Sequence, residues 1–385
     1  MASKILRVPV KPDLVRWARE RAGKEIEDLQ AKFPYIEDWE TGSVQPTMKQ
    51  LENFANSTRV PFGYLFLEDP PEEPLPIPDF RTMVGEARRP SPDLLDTIYA
   101  CQQRQEWYRG YLQTQGETPL LFVGARNLKN DPIKAATGIR EQLKFDIEER
   151  RKLPTWEAAL RLFIEQAEAI GVLVMVSGIV GSNTHRKLDP EEFRGFALVD
   201  DLAPLVFING ADTKSAQMFT LAHELAHLWL GTTGVSDASP AVFPEEQVER
   251  WCNQVAAELL VPIGALKDIY RPDGKLQDEL QRIARLLKVS TLVILRRIFE
   301  LGALSKDEFW QTYKDEVARL SEFERSAGGG GDFYRTLNRR VGTRFAEAVV
   351  ISALEGQTLL RDAYQMLGIR KAETFERYAQ ELGVG

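Results

Sequence analysis

Residues 219–231 read FTLAHELAHLWLG. Phe219, Leu221, Ala222, Leu225, Ala226, Leu228, Trp229 and Leu230 leave almost no wet face, and a helix that is apolar all round is buried. Yet the stretch also carries His223, Glu224 and His227. Burying such groups without partners costs on the order of several kcal/mol each. The pattern is H-E-x-x-H. Residues four apart on a helix share a face, so both imidazoles can reach one ion. Glu224, one position after the first histidine, points roughly a quarter-turn away, beside the place a water would take. The chain has three histidines, and two of them fall here. A pair of core histidines with satisfied hydrogen bonds is the plainer reading, but it leaves Glu224 unexplained.

A catalytic zinc takes three protein ligands and a water, so one ligand remains to be found. His185 lies in a polar loop, GSNTHRKLD. A helix predicted over 245–261 offers Glu245, Glu246, Glu249 and Glu258. Of these, only Glu249 is followed four residues later by a group able to orient a ligand histidine, Asn253. Its amide oxygen can accept the N–H of His223 or His227. Cys252, on the same helix, is read as small packing. The expected ion is Zn²⁺, with Mn²⁺ also compatible.

Working outward, a helix is predicted over 155–170, followed by strands at VLVMVS, FRGFALVDD and APLVFING, each apolar and bounded by Gly, Pro or Asp. A substrate peptide is expected to pair with an edge strand, for which GFALVD and PLVFIN are the candidates. The long helix after the motif stops at Pro262. Residues 276–302 give two helices around KVS, read either as a helical hairpin closing the domain or as a helix-turn-helix. Residues 12–67 read as five short helices, which Pro12, Gly23 and Thr47 punctuate. In residues 1–70 ten Lys/Arg face eleven Asp/Glu, a net of −1. The third helix offers Tyr35, Ile36, Glu37, Asp38, Trp39 and Glu40, and acids there would meet phosphates. The module therefore reads as a scaffold for protein contact or for DNA.

EDPPEEPLPIPDFRT, 68–82, is too proline-dense for a helix or a central strand and is expected as a stiff connector. A helix follows over 92–115, with Trp107, Tyr108 and Tyr111 expected to pack against a neighbouring domain. SAGGGGDF, 326–333, reads as a linker or an ordered loop. Beyond it, a helical region carries Arg335, Arg339, Arg340 and Arg344 without an interleaved acid. That strip is the candidate nucleic-acid contact, or a solvated face.

Composition bounds the class. The chain has 385 residues, is 43% hydrophobic and 28% charged, and carries a net charge of −8, so it is not a polyanion binder as a whole. Cys101 and Cys252 form no disulfide framework and no CxxC pair. The first residues hold no signal-peptide apolar core, and GVLVMVSGIVG is too short to span a bilayer. These features lead to the expectation of a cytoplasmic protein without a membrane contact.

FTLAHELAHLWLG, its spacing to VERWCNQVAAELLVP and the preceding EEFRGFALVDDLAPLVFING resemble the ImmA/IrrE family of metallo-endopeptidases over about 155–300. WETGSVQPT and its surroundings resemble an Xre-type helix-turn-helix, and that module followed by LPIPDFRT resembles an arrangement common in the family. The resemblance implies metal ligands at His223, His227 and Glu249, and a catalytic glutamate at Glu224. It also implies a protein substrate, an Xre-type repressor or antitoxin, in stress response or mobile-element control. The expected fold is α+β and mostly helical, a zincin-like core with a small sheet. The expected boundaries are 1–70 for the Xre-like module, 71–115 for connector and helix, 116–305 for the peptidase core and 306–385 for a C-terminal helical region. The rival reading is a metal-containing regulator that binds DNA or a repressor without cutting.

Overall fold

The computed structural model describes residues 6–80, 90–236, 238, 244, 246–324 and 333–384. The glycine run and Glu245 lie outside them. The chain divides into two compact units, Met1–Pro76 with Met83–Ile98, and Ile77–Thr82 with Tyr99–Gly385.

In the first unit, helices α1 (Pro12–Arg21), α2 (Ile26–Gln30), α3 (Ile36–Thr41) and α4 (Met48–Thr58) precede a 3-10 turn at Phe62–Phe66. Thr47 caps α4, its side chain accepting from the Gln50 N–H while the Gln50 side chain reaches back to the Thr47 N–H, which satisfies two end donors at once. Phe33, Trp39 and Phe54 meet at centroid distances of 5.7–6.0 Å. Glu40 does not stand where a phosphate would meet it. It is buried and accepts from Arg19 Nε at 2.6 Å.

The second unit is α+β and mostly helical. Its helices begin with α5 (Pro92–Gln115, whose first turns belong to the first unit), α6 (Pro132–Leu143), α7 (Ile147–Lys152) and α8 (Trp156–Ala169). Strands β1 (Leu173–Ser177), β2 (Gly195–Leu198) and β3 (Leu205–Asn209) follow, then α9 (Lys214–Leu230), β4 (Gly234–Ser236) and α10 (Gln247–Leu260). The remainder is α11 (Ile263–Ile269), α12 (Leu276–Leu287), α13 (Thr291–Glu300), α14 (Lys306–Glu324), α15 (Phe333–Val341), α16 (Thr343–Leu354), α17 (Leu360–Leu367) and α18 (Ala372–Leu382).

The sheet order is β1-β3-β2-β4. β1 runs parallel to β3, while β2 is antiparallel to both β3 and β4. This corrects the expected substrate edge. GFALVD and PLVFIN contain β2 and β3, which are both interior, and among the described residues the edge strands are β1 and β4. The three residues of β4 are too few to show a period-2 pattern.

Every residue of α9 from Gln217 to Trp229 is buried. The helix packs on β2 and β3 with one side and on α8 and α10 with others. Its start is capped by Thr213, which accepts from the Ala216 N–H at 3.2 Å. Its last carbonyls, Leu228 and Trp229, accept from Gly124 and Arg126 N–H at 3.0 and 2.8 Å, so a buried helix end keeps its hydrogen bonds. The 276–302 hairpin sends Leu280, Ile283, Leu287, Ile294 and Ile298 into the same core as α9. Trp107 and Tyr108 of α5 pack on Phe345 of α16, within this unit. Among the described residues, no helix is long and apolar enough to cross a membrane.

Candidate metal centre

α9 carries His223 and His227 on one face, and α10 lies against it with Glu249 opposite. The two imidazole Nε2 atoms are 3.1 Å apart. Glu249 brings Oε2 to 3.2 Å from His223 Nε2 and Oε1 to 2.9 Å from His227 Nε2. The candidate ligand atoms of the three residues lie within 4.8 Å of one another, and all three residues are buried.

The opposite ring nitrogen fixes the tautomer of His223, and Thr232 can accept from that of His227. His223 Nδ1 lies 3.0 Å from Asn253 Oδ1, which can only accept, so Nδ1 carries the proton. His227 Nδ1 lies 3.0 Å from Thr232 Oγ1. With Nδ1–H donated outward at His223, and at His227 when Thr232 accepts, the Nε2 lone pairs face each other and a carboxylate. Three electron-rich groups at such separations repel unless a cation lies among them. Glu249 Oε1, for all its closeness to His227, makes no hydrogen bond of acceptable geometry. The donor set, two neutral imidazoles and one carboxylate, suits a zinc-class dication. The residues present therefore fit a metal ion.

Burial disfavours the charged form of both imidazoles. At His227 it prevails and lowers the pKa. At His223 the Glu249 carboxylate outweighs it and raises the pKa. Glu249 is pushed up by burial but held down at about 2 when the imidazoles turn N–H towards it, the protonated arrangement that competes with a bound ion.

Glu224 is fully buried, and neither of its carboxylate oxygens has a well-formed hydrogen bond. Ser236 on β4 is close enough to favour its ionised form, but burial dominates and pushes the carboxyl up to about 8. A dication at the three-ligand point would draw it down again. Room for Glu224 comes from Gly195 on β2. A Cβ there would meet Glu224 Oε1 at 3.1 Å, Thr220 Cγ2 at 2.6 Å and the Phe207 carbonyl at 2.8 Å. The sequence carried a signal for this, since a glycine inside a strand marks a close approach. Thr232 and Ser236, whose Oγ lies 3.3 Å from His227 Nε2, carried none.

The other candidates lie elsewhere. His185 is exposed. Glu258 pairs with Arg297 and accepts the Ile263 N–H at 3.2 Å. Cys252 is buried, and desolvation holds its thiol far above its usual range, which keeps it protonated. The arginine strip is not one helix face, because the chain turns at Gly342 between α15 and α16. Arg344 donates to Tyr108 Oη at 2.8 Å and to the Glu168 carbonyl at 3.3 Å. Arg339 and Arg340 are half-buried, and the Arg335 side chain lies outside the described residues.

Residues 167–299 match a family model described as the IrrE N-terminal-like domain, a peptidase family. Residues 341–381 match one described as a domain of unknown function (DUF8813). No curated protein matches the chain. The first match spans His223, Glu224, His227 and Glu249 and suggests a metallopeptidase.

Proposed function

We propose that this chain is a zinc-dependent endopeptidase acting in the cytoplasm on a protein substrate, an Xre-type repressor or antitoxin, with His223, His227 and Glu249 as ligands and Glu224 as the catalytic base. The observation that carries the reading is the pairing of three converging ligand atoms with a buried carboxylate, Glu224, that makes no well-formed hydrogen bond. A purely structural metal closes its site with protein ligands and has no use for a buried base beside it.

Bound at this centre, a zinc-class ion supplies a Lewis acid and lowers the pKa of a water towards about 7. The chain's own residues do the rest. Asn253 and Thr232 hold the two imidazoles in the tautomer that presents Nε2. Glu224 accepts the proton of the attacking water on a carboxylate oxygen and returns it to the departing amine. The apolar surroundings of α9 keep bulk water away and strengthen each of these interactions. The repressor as substrate is supported by the family resemblance and by the short-helix module at 12–67.

The test is to incubate the metal-loaded chain with Xre-type regulators from the same organism. The expected result is a discrete cleavage product that disappears with chelator. Tight binding with the regulator left intact would favour the non-cleaving regulator instead.

A further inference from the structure

The outer edge of β4 is already taken by this chain itself. Val235 donates its N–H to the Pro78 carbonyl and accepts from the Phe80 N–H, both at 2.9 Å, which forms a parallel bridge between Asp79 and Val235. The segment belongs to the same compact unit as the sheet. Ile77 is buried beside it. Phe80 then lays its ring on His227, with centroids 5.6 Å apart and planes 14° from parallel. Gly234 makes the space for that ring, since a Cβ there would lie 2.3 Å from Phe80 Cδ2 and Cε2.

Two properties distinguish this contact from ordinary edge covering. First, β4 runs directly past the metal ligands, because Ser236 reaches His227 Nε2. An extended peptide on this edge is therefore carried alongside the three-ligand point. Second, the strap uses the means by which a sheet edge captures a peptide: main-chain hydrogen bonds for affinity and one side chain in a shaped recess for selectivity. β1, the opposite edge, has no such role, since the α15–α16 corner approaches it so closely that a Cβ on Gly342 would lie 2.9 Å from the Val174 carbonyl.

We propose that the β4 edge is the substrate-binding rail of the metal centre and that Pro78–Asp79–Phe80 occupies it as an internal competitor. The substrate class is then an extended peptide with an aromatic side chain set over Gly234 and against His227. Such a peptide binds only when the strap leaves. This deepens the peptidase reading and rests on it.

The test uses full-length, zinc-loaded protein and a labelled synthetic peptide of residues 75–82, LPIPDFRT, with the same peptide carrying Phe80→Ala as control. The protein variant Phe80→Ala loses the ring that anchors the strap. It is expected to bind the labelled peptide about 3- to 10-fold tighter than wild type, the scale of one aromatic contact, and to prefer it to the control. Gly234→Ala fills the recess. It expels the strap but also rejects the aromatic probe, so it should gain no peptide affinity. Both variants should surrender zinc to chelator faster than wild type, because His227 loses its cover. Equal peptide affinity in wild type and Phe80→Ala would overturn the proposal. So would tight peptide binding by Gly234→Ala, or chelation rates unchanged in both variants. No arm measures cleavage, so a result against the peptidase reading leaves these outcomes legible, and their failure leaves that reading standing.

Discussion

α10 buries two glutamates nine residues apart, and they illustrate two uses of a buried charge. Glu258 meets Arg297, which also donates to the Val261 carbonyl at 2.8 Å. Charge and hydrogen bonds close within the protein. Glu249 meets two imidazoles, of which His223 gives its Nδ1 proton to Asn253, so three acceptors converge with only the Ser236 hydroxyl near His227 as a donor. Both residues are nearly inaccessible. Burial of a charge therefore does not mark a site. An imbalance of acceptors does, because it is stable only when something positive joins it.

Removing one side chain from each cluster sharpens the contrast most. Glu249→Ala is expected to abolish stoichiometric metal binding, measured by metal analysis after dialysis. Glu258→Ala is expected to keep the metal and lose stability in urea denaturation, by less than about 3–5 kcal/mol, the cost of a stranded buried charge, because Arg297 keeps Glu300. Metal loss in Glu258→Ala with retention in Glu249→Ala would exchange the two roles. A smaller effect is expected one step outward. Asn253→Ala removes the acceptor that fixes the His223 tautomer and should weaken metal affinity about 10–100-fold, read by competition with a chromophoric chelator. An unchanged affinity would reduce Asn253 to packing.

The smallest effect concerns a third buried carboxylate, which belongs to neither cluster. Burial pushes Glu168 up to about 7, against the N–H groups of Arg344 and Thr343 that favour its charge. The folded state thus favours the protonated form more than the unfolded state does. The resulting stability is complete below the ordinary glutamate pKa of 4.5 and is lost as pH rises through 7. Wild type should therefore be less stable at pH 8 than at pH 5, by on the order of 1–3 kcal/mol. Glu168→Gln should flatten that difference in urea midpoints taken at both pH values.

The clustering of His223, His227 and Glu249 was readable in the sequence wherever helix geometry alone decides it. The four-residue spacing puts His223 and His227 together, and the same spacing links Glu249 to Asn253. The helices at 12–21, 92–115, 156–169, 247–260 and 276–300 announce themselves through period and end signals. What escaped depends on partners distant in sequence. β4 is a Gly-Val-Ser triplet whose pairing with β2 exists only in three dimensions, so the true sheet edge could not be seen. The described part of the proline-dense segment holds no helix, as its prolines require, but nothing in its composition places Phe80 on His227. Arg344 looked like part of a basic strip until Tyr108 and Glu168 took up its donors.

The most direct test of a hydrolytic centre is Glu224→Gln, which keeps size and much of the polarity but removes the base. Metal content and cleavage are measured on the same purified sample. The account predicts a folded protein that holds one equivalent of zinc and cleaves its substrate about 10²–10⁴-fold more slowly. A Glu224→Gln protein that holds the metal and cleaves as fast as wild type would contradict it.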